Sequence, residues 1–286
     1  MLGMRAHARS RTALVPAAVL VAFAVAGPTS AAAPDTLLPT ARAIVREHPG
    51  MWAQAVVARG ERTIVIGRSA RQAAEIAAVA DRAGRTVARV WGPVDAVVLV
   101  PATEAQAAEL AAPAHVEGFA AFAGVGRVIV DPSGFGRLSR TGRQVVLTHE
   151  LTHVATGAAL TGDMPAWLVE GFADYVGYLD AGLPVRTVAA ELAEEVRAGT
   201  PPRELPGRAE FQSGSVRLAQ AYEEAWLMCR YIAERFGEPE LVGLYRASLR
   251  SGVTAALRDT LGMTLPGLTE GWRDYVVRQL GPVAGS

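Results

Sequence analysis

The sequence of 286 residues contains no lysine and a single cysteine. With only Cys229 present, no disulfide can form within the chain, which excludes a small disulfide-stabilised fold. The 28 basic residues, all of them arginine, balance 28 acidic residues, so the formal net charge is zero. A chain without an excess of positive charge has no electrostatic footprint for nucleic acid, and we expect no nucleic-acid partner.

Long apolar runs are also missing after the N-terminus, so no membrane-spanning helix is expected there. At the N-terminus, three arginines precede an apolar run from Ala13 to Ala26, and small residues follow at 29–33. This pattern predicts a secretory signal peptide over residues 1–33, a secreted chain and no stable membrane insertion after cleavage. An uncleaved anchor is the less favoured alternative, and a pro-segment between about residues 34 and 60 stays open. Cleavage would leave 25 arginines against 28 acidic residues.

Residues 34–140 have the pattern of a small α+β layer. Short runs rich in Val, Ile and Ala, separated by turn residues, predict five strands at 55–58, 63–66, 96–100, 118–124 and 127–131. Apolar residues at helical spacing predict helices over 69–84 and 103–110, the first of them ending near Gly84. We expect these elements to form a small mixed β-sheet.

Residues 141–286 are predicted to be mainly helical. Thr141 and Gln144 have the spacing of a capping box, which would begin a helix there, and Gly157 would end it. Pro165 favours the first turn of a second helix over 166–179. Further helices are predicted at 187–198, 217–236, 241–250, 253–261 and 268–280.

The strongest motif of the chain is His149-Glu150-Leu151-Thr152-His153. Two histidines four residues apart lie on one face of a helix, one turn above the other. Both imidazoles can therefore bind one Zn²⁺ at ~2.0–2.1 Å, while Glu150 points towards a water on the open side of the metal. The motif predicts a catalytic zinc site.

A catalytic zinc site has three protein ligands, and Glu170 is the candidate for the third. It lies in an otherwise apolar helical stretch, where a bare carboxylate is costly to bury and tends to be paired or metal-bound. Asp174, four residues later on the same face, is placed to accept the outer N–H of a zinc-bound imidazole. The alternatives are a surface-facing Glu170 and a solvated Asp174.

These paired segments resemble the gluzincin zinc metallopeptidases, and most closely the peptidase MA-like domains of exported bacterial proteins. The resemblance implies a zincin-like α+β domain over residues 34–286, with Glu170 as the third zinc ligand and Asp174 as the partner of a zinc-binding histidine. It also compares Tyr222, in Tyr222-Glu223-Glu224-Ala225-Trp226, with the tyrosine that stabilises the oxyanion in aminopeptidase-N-type gluzincins. Because Tyr222 lies on the apolar stripe of its predicted helix, a purely packing role is the alternative.

One segment of those aminopeptidases has no counterpart here. The chain contains no Gly-x-Met-Glu-Asn segment, which binds the free amino terminus of their substrates. Residues 118–124 instead predict an edge strand that pairs with an extended peptide, an internal strand being the alternative. An endopeptidase is therefore favoured over an aminopeptidase.

Taken together, the sequence predicts a secreted zinc-dependent peptidase that acts on a peptide or protein substrate. Zinc would activate a water molecule, and Glu150 would be its general base. The main alternative is an exported zincin-fold module that binds zinc or a partner without proteolysis. The second alternative is a structural protein in which the His-Glu-x-x-His motif occurs by chance. Cleavage specificity and oligomeric state do not follow from the sequence.

Overall fold

A five-stranded mixed sheet forms one side of the fold and a set of packed helices forms the other. The computed structural model describes residues 35–114, 118–157 and 164–282, so the predicted signal peptide at 1–33 lies outside the described residues. The α+β class expected from the sequence is confirmed, with the strands before residue 131 and a helical C-terminal half. Among the helices of these three ranges, none combines the length and the apolar character that crossing a bilayer requires.

All five predicted strands are present, and they form one sheet. In chain order they are β1 (Val56–Arg59), β2 (Thr63–Gly67), β3 (Ala96–Leu99), β4 (Ala121–Gly124) and β5 (Arg127–Val130). Their spatial order is β1-β2-β3-β5-β4. The three central strands are parallel, while β1 and β4 are antiparallel to their neighbours. The prediction of an edge strand at 118–124 is confirmed, since β4 lies at one edge.

Helices cover both faces of this sheet, which is why β2 and β3 are continuous apolar runs rather than alternating ones. Ile64 and Ile66 point to one face, where they pack with α1 (Leu37–Glu47) and α3 (Glu104–Ala111). Val65 points to the other face and joins the larger core, to which α2 (Ala70–Val90) and the later helices contribute. Helix α1 was not predicted from the sequence.

The remaining helices follow after β5. They are α4 (Pro132–Arg137), α5 (Arg140–Thr156), α6 (Ala166–Tyr178), α7 (Val185–Val188), α8 (Ala190–Arg197), a 3-10 helix (Arg208–Phe211), α9 (Leu218–Phe236), α10 (Glu238–Ser251), α11 (Val253–Leu261) and α12 (Leu265–Leu280). Helices α6 and α9 approach closely at Gly171, where an added Cβ would lie 2.3 Å from the carbonyl oxygen of Ala225. Only glycine allows this approach, which brings α6 and α9 together beside α5.

Three predicted helix boundaries were wrong. Helix α2 does not end near Gly84 but continues to Val90, because the buried Ala83 and Val87 extend its apolar stripe and outweigh a glycine cost of about 1 kcal/mol. Helix α5 begins at Arg140 rather than through a Thr141–Gln144 capping box. The helix predicted over 187–198 is divided into α7 and α8 at Ala189, whose backbone is not helical.

The start of α5 has a different cap from the one expected. Ser139 is the N-cap, and its Oγ accepts a hydrogen bond from the backbone N–H of Gly142 at 3.1 Å. The side chain of Gln144 does not reach back to the cap, since it donates to Thr148 and accepts from Arg82. At the other end, Gly157 adopts the left-handed conformation and ends the helix as predicted.

Candidate metal centre

The two histidines of the motif lie on the buried face of α5, in its C-terminal half. Their spacing of four residues places the rings one above the other, and His149 Nε2 is 2.9 Å from His153 Nε2. Both residues are buried, with 8% and 7% of their surface exposed. Two ring nitrogens this close repel each other when both carry lone pairs, so the arrangement favours a cation between them.

Helix α6 supplies the third candidate ligand. It begins after Pro165, whose backbone is extended, and its second turn carries Glu170. The Oε2 atom of Glu170 lies 3.4 Å from His149 Nε2 and 3.3 Å from His153 Nε2. A tetrahedral zinc ion with bonds of ~2.0–2.1 Å separates its ligand atoms by ~3.3 Å, so the three side chains fit such an ion. The structure thus brings the three predicted ligands together.

Asp174 holds one of the histidines, as its position one turn after Glu170 predicted. Its Oδ1 atom lies 2.7 Å from His149 Nδ1, and both residues are buried. A carboxylate at this nitrogen keeps the proton on Nδ1 and leaves Nε2 free to bind a metal. The Nδ1 atom of His153 has no hydrogen-bond partner among the described residues.

The electrostatics of the site favour positive charge. Burial by itself would lower the pKa of His149, but the charge and hydrogen bond of Asp174, with Glu170, hold that pKa well above its ordinary value. Burial would raise the pKa of Glu170, but His153 and His149 hold it well below its ordinary value. Three carboxylates therefore surround two imidazoles, and a divalent cation suits this environment.

Glu150 lies between this cluster and the edge strand. Its carboxylate is buried, which raises its pKa against the attraction of His149 and His153. The backbone N–H of Ala123 in β4 donates a hydrogen bond to it. A buried carboxylate with a raised pKa is suited to accept and return a proton.

The backbone of β4 faces the site at alternate residues. Asp131 N–H donates to Ala120 O at 2.9 Å, and the register pairs Phe122 with Ile129. Because hydrogen-bonded and non-hydrogen-bonded pairs alternate in an antiparallel ladder, Ala121 and Ala123 turn their N–H and C=O groups away from β5. These groups lie at the edge of the sheet next to Glu150, where no further strand of the described residues pairs with β4.

Tyr222 reaches the site from the first turns of α9. Its ring centroid is 6.1 Å from that of His149. Burial and the neighbouring carboxylates raise its pKa well above its ordinary value, so the phenol stays a proton donor. The structure thus places Tyr222 beside the candidate ligands, and its catalytic role and its packing role both stay predictions.

Phe211 is a residue of the site that the sequence did not reveal. Its ring packs edge-on against Tyr222 with centroids 5.2 Å apart. It lies in the 3-10 helix of an irregular Pro-rich segment, where no periodicity marks a partly buried aromatic. By contrast, the hydroxyl of Tyr175 donates a hydrogen bond to Glu238 in α10 at 2.9 Å.

The chain is similar to solved structures of M1 zinc metallopeptidases. One is a two-domain mutant bound to L-arginine, at 16% identity and a TM-score of 0.45, covering 77% of this chain and 49% of that one. A mutant from Deinococcus radiodurans is similar at 15% identity and a TM-score of 0.44, covering 78% and 50%. Another from that organism, bound to a Tyr-Ser-Ala substrate, has 15% identity and a TM-score of 0.43, covering 78% and 50%.

This chain spans about half the length of those metallopeptidases. A search of curated protein sequences found no match. The sequence profile of the Peptidase MA superfamily matches residues 73–278, which include the two motif histidines and Glu150, together with Glu170, Asp174 and Tyr222. As this match covers most of the chain, the protein belongs to the Peptidase MA superfamily.

Proposed function

We propose that the protein is a secreted zinc-dependent endopeptidase in which Glu150 is the general base. The observation that carries this proposal is the triangle of His149 Nε2, His153 Nε2 and Glu170 Oε2, with sides of 2.9 to 3.4 Å, next to the buried Glu150. A protein that only bound zinc for structural reasons would need no such carboxylate beside the ligands.

The two histidines and Glu170 would hold the ion, and zinc in such a site lowers the pKa of a bound water towards ~7 and polarises the scissile carbonyl. Glu150 takes a proton from the attacking water and returns it to the leaving nitrogen. Asp174 fixes the ring of His149 through Nδ1. Tyr222, whose raised pKa keeps its hydroxyl protonated, donates a hydrogen bond to the developing oxyanion.

The substrate would bind as an extended strand along β4. Ala121 turns its N–H and C=O groups, and Ala123 its C=O group, away from β5 at the sheet edge, and strand addition to such an edge is a general mode of peptide recognition. The strand reads Ala121-Phe122-Ala123-Gly124 and contributes no acidic side chain to hold a free amino terminus. This absence within β4 favours cleavage inside a polypeptide. Secretion rests on the N-terminal pattern of residues 1–33.

The experiment is a comparison of the wild type with Glu150→Gln. Zinc content is measured for both, and cleavage of unfolded casein and of an N-acetylated peptide is followed with and without 1,10-phenanthroline. We expect one zinc ion per chain in both proteins and chelator-sensitive internal cleavage by the wild type. Loss of the general base should lower the rate by about 10²–10⁴-fold.

Three results would contradict parts of the proposal. If Glu150→Gln cleaved peptides at the wild-type rate, Glu150 would not be the general base. Stoichiometric zinc without any cleavage would favour the zinc-binding module that lacks proteolysis. Cleavage restricted to peptides with a free amino terminus would replace the endopeptidase with an aminopeptidase.

A further inference from the structure

A groove of about 1050 Å³ lies between α2 and the N-terminal half of α5. The last residues of α6 and the turn after it, including Gly177 and Asp180, form one of its walls. At 3.6 residues per turn, Arg140 and Gln144 lie on one side of α5, and His149 lies about 140° around the axis from Gln144. The groove is therefore on the side of α5 away from the candidate metal centre.

Positive charge is concentrated in this groove. Its lining contains two acidic residues and five arginines, namely Glu75, Asp180, Arg82, Arg85, Arg89, Arg140 and Arg143. The chain as a whole has no net charge, and without residues 1–33 it has fewer arginines than acids. A local excess of three positive charges is thus a feature of the groove and not of the composition.

Some of these charges are neutralised within the protein. Arg89 pairs with Asp180 at 2.9 Å, and Arg85 pairs with Glu61. The other acidic residue of the lining, Glu75, pairs with Arg71 at 2.9 Å. Both acids of the groove are therefore already engaged by arginines.

Three guanidinium groups have no carboxylate partner. Throughout the described residues, no salt bridge is formed by Arg82, Arg140 or Arg143. Arg82 is held by a 3.1 Å hydrogen bond from its Nε to Gln144 Oε1. Arg143 donates to the carbonyl oxygens of Phe135 and Gly136 in α4 and lies over the Phe135 ring, which fixes it in place without a carboxylate partner.

The dimensions of the groove suit a short extended chain. Its wall along α2 runs from Glu75 to Arg89, which is about 21 Å at a rise of 1.5 Å per residue. An extended polypeptide of about six residues has this length. Between the charged walls lie apolar side chains, including Val79, Leu138 and Val145. A polypeptide with acidic and apolar side chains would use both, whereas a phosphate polymer would leave the apolar surface without a partner.

Helix α4 lies between the start of β4 and the groove. The strand β4 begins beside α4, where a Cβ on Gly134 would lie only 3.1 Å from Ala120 Cα. Helix α4 ends at Arg137, and the chain continues directly to Leu138 and Arg140 at the groove.

We propose that this groove is an exosite that binds an acidic segment of the protein substrate, at a distance from the bond that is cleaved. The acidic side chains pair with Arg82, Arg140 and Arg143, and apolar side chains between them lie on the groove floor. The role in cleavage rests on the proposed peptidase function, while the binding of the acidic segment does not.

The binding test uses the full chain with Glu150→Gln, so that no probe is cleaved. The probe is a fluorescein-labelled peptide of alternating glutamate and valine, and its Kd is measured by fluorescence anisotropy at low ionic strength. Arg82→Gln with Arg140→Gln should weaken binding by about five- to ten-fold, since each exposed ion pair contributes a few-fold. Arg82→Lys with Arg140→Lys should retain most of it.

Two controls make the binding result specific. Arg250→Gln with Arg258→Gln removes two exposed arginines from α10 and α11, remote in sequence from the groove, and should leave the Kd unchanged. A peptide of alternating glutamine and valine should not bind. If Arg82→Gln with Arg140→Gln did not weaken binding of the glutamate–valine peptide, the proposal would be overturned. Tighter binding of inorganic polyphosphate, with displacement of the peptide, would also overturn it by assigning the groove to a phosphate polymer.

A kinetic test separates the exosite from the peptidase function. Two substrates share one cleavage sequence, and one of them also carries an acidic block joined to it by a flexible linker. The Arg82→Gln and Arg140→Gln variant should raise KM for the substrate with the block, leave kcat unchanged and not affect the other. If the wild type had the same KM for the substrates with and without the acidic block, the exosite proposal would be overturned. Binding of the probe without any cleavage would instead remove the peptidase function and retain the acidic-peptide site.

Discussion

Gly171 determines how closely α6, which carries Glu170 and Asp174, approaches α9, which carries Tyr222. Replacement by alanine would place a Cβ 2.3 Å from the carbonyl oxygen of Ala225 and 3.0 Å from Cys229 Sγ. An ordinary nonbonded contact is ~3.5 Å, so the two helices would have to separate by about 1 Å. The atom in the way belongs to the backbone, and no side-chain rotation can relieve the contact.

Two opposing effects set the magnitude of this change. Alanine in a helix interior is favoured over glycine by about 1 kcal/mol. Overpacking of a filled interior costs about 1–3 kcal/mol, and the upper part of the range applies when only backbone can move. We therefore expect Gly171→Ala to lower the free energy of unfolding by about 2 kcal/mol and to weaken zinc binding by displacing Glu170.

The matched control is Gly84→Ala in α2, where an added Cβ would meet nothing within 4 Å. There only the helical preference acts, and stability should rise by about 0.5–1 kcal/mol. Urea unfolding gives both values, and competition with a chelator gives the zinc affinity. If Gly171→Ala were as stable as Gly84→Ala, the close approach of α6 and α9 described here would be wrong.

Three further changes test the site and its surroundings. Asp174→Asn should weaken zinc binding by about 10–100-fold in a chelator titration, because His149 loses its carboxylate partner; unchanged affinity would contradict this role. Tyr222→Phe should keep zinc and stability but lower kcat by about 10²-fold with little change in KM, and an unchanged kcat would return it to a packing role. Burial raises the pKa of Glu224 to about 7, although the positive charge of Arg217 acts in the opposite direction. The folded state therefore holds a proton that the unfolded state releases near pH 4.5. This proton contributes roughly 3 kcal/mol to the free energy of unfolding, and the contribution is lost as the pH rises through 7. Glu224→Gln should therefore reduce the fall in melting temperature from pH 5 to pH 8. A melting temperature with the same pH dependence in wild type and variant would refute the raised pKa.

The parts of the site that depend on local periodicity were predictable from the sequence. The spacing of His149 and His153 determines that both rings share one face of a helix, whatever the rest of the fold does. The same rule places Asp174 one turn after Glu170. The packing of α5 against α6 with these two faces opposed depends on tertiary contacts. The resemblance to gluzincins predicted this packing, whereas the residues alone did not.

The features that escaped prediction depend on contacts between distant segments. Helix α2 continues through Gly84 because its stripe packs on the sheet, which a local glycine signal does not reveal. Ser139 replaced Thr141 in capping α5 because Gln144 is engaged with Arg82, a residue 62 positions earlier. The arginine groove likewise arises only when α2 and α5 lie side by side.

The candidate ligands come from two helices, and this has a consequence for folding. A cation bound to His149, His153 and Glu170 cross-links α5 to α6 and binds the folded chain in preference to the unfolded one. At a free metal concentration of about 1,000 times Kd, this linkage adds about 4 kcal/mol to the stability, which is a large fraction of the total for a domain of this kind. Metal supply would then determine what fraction of the chain is folded.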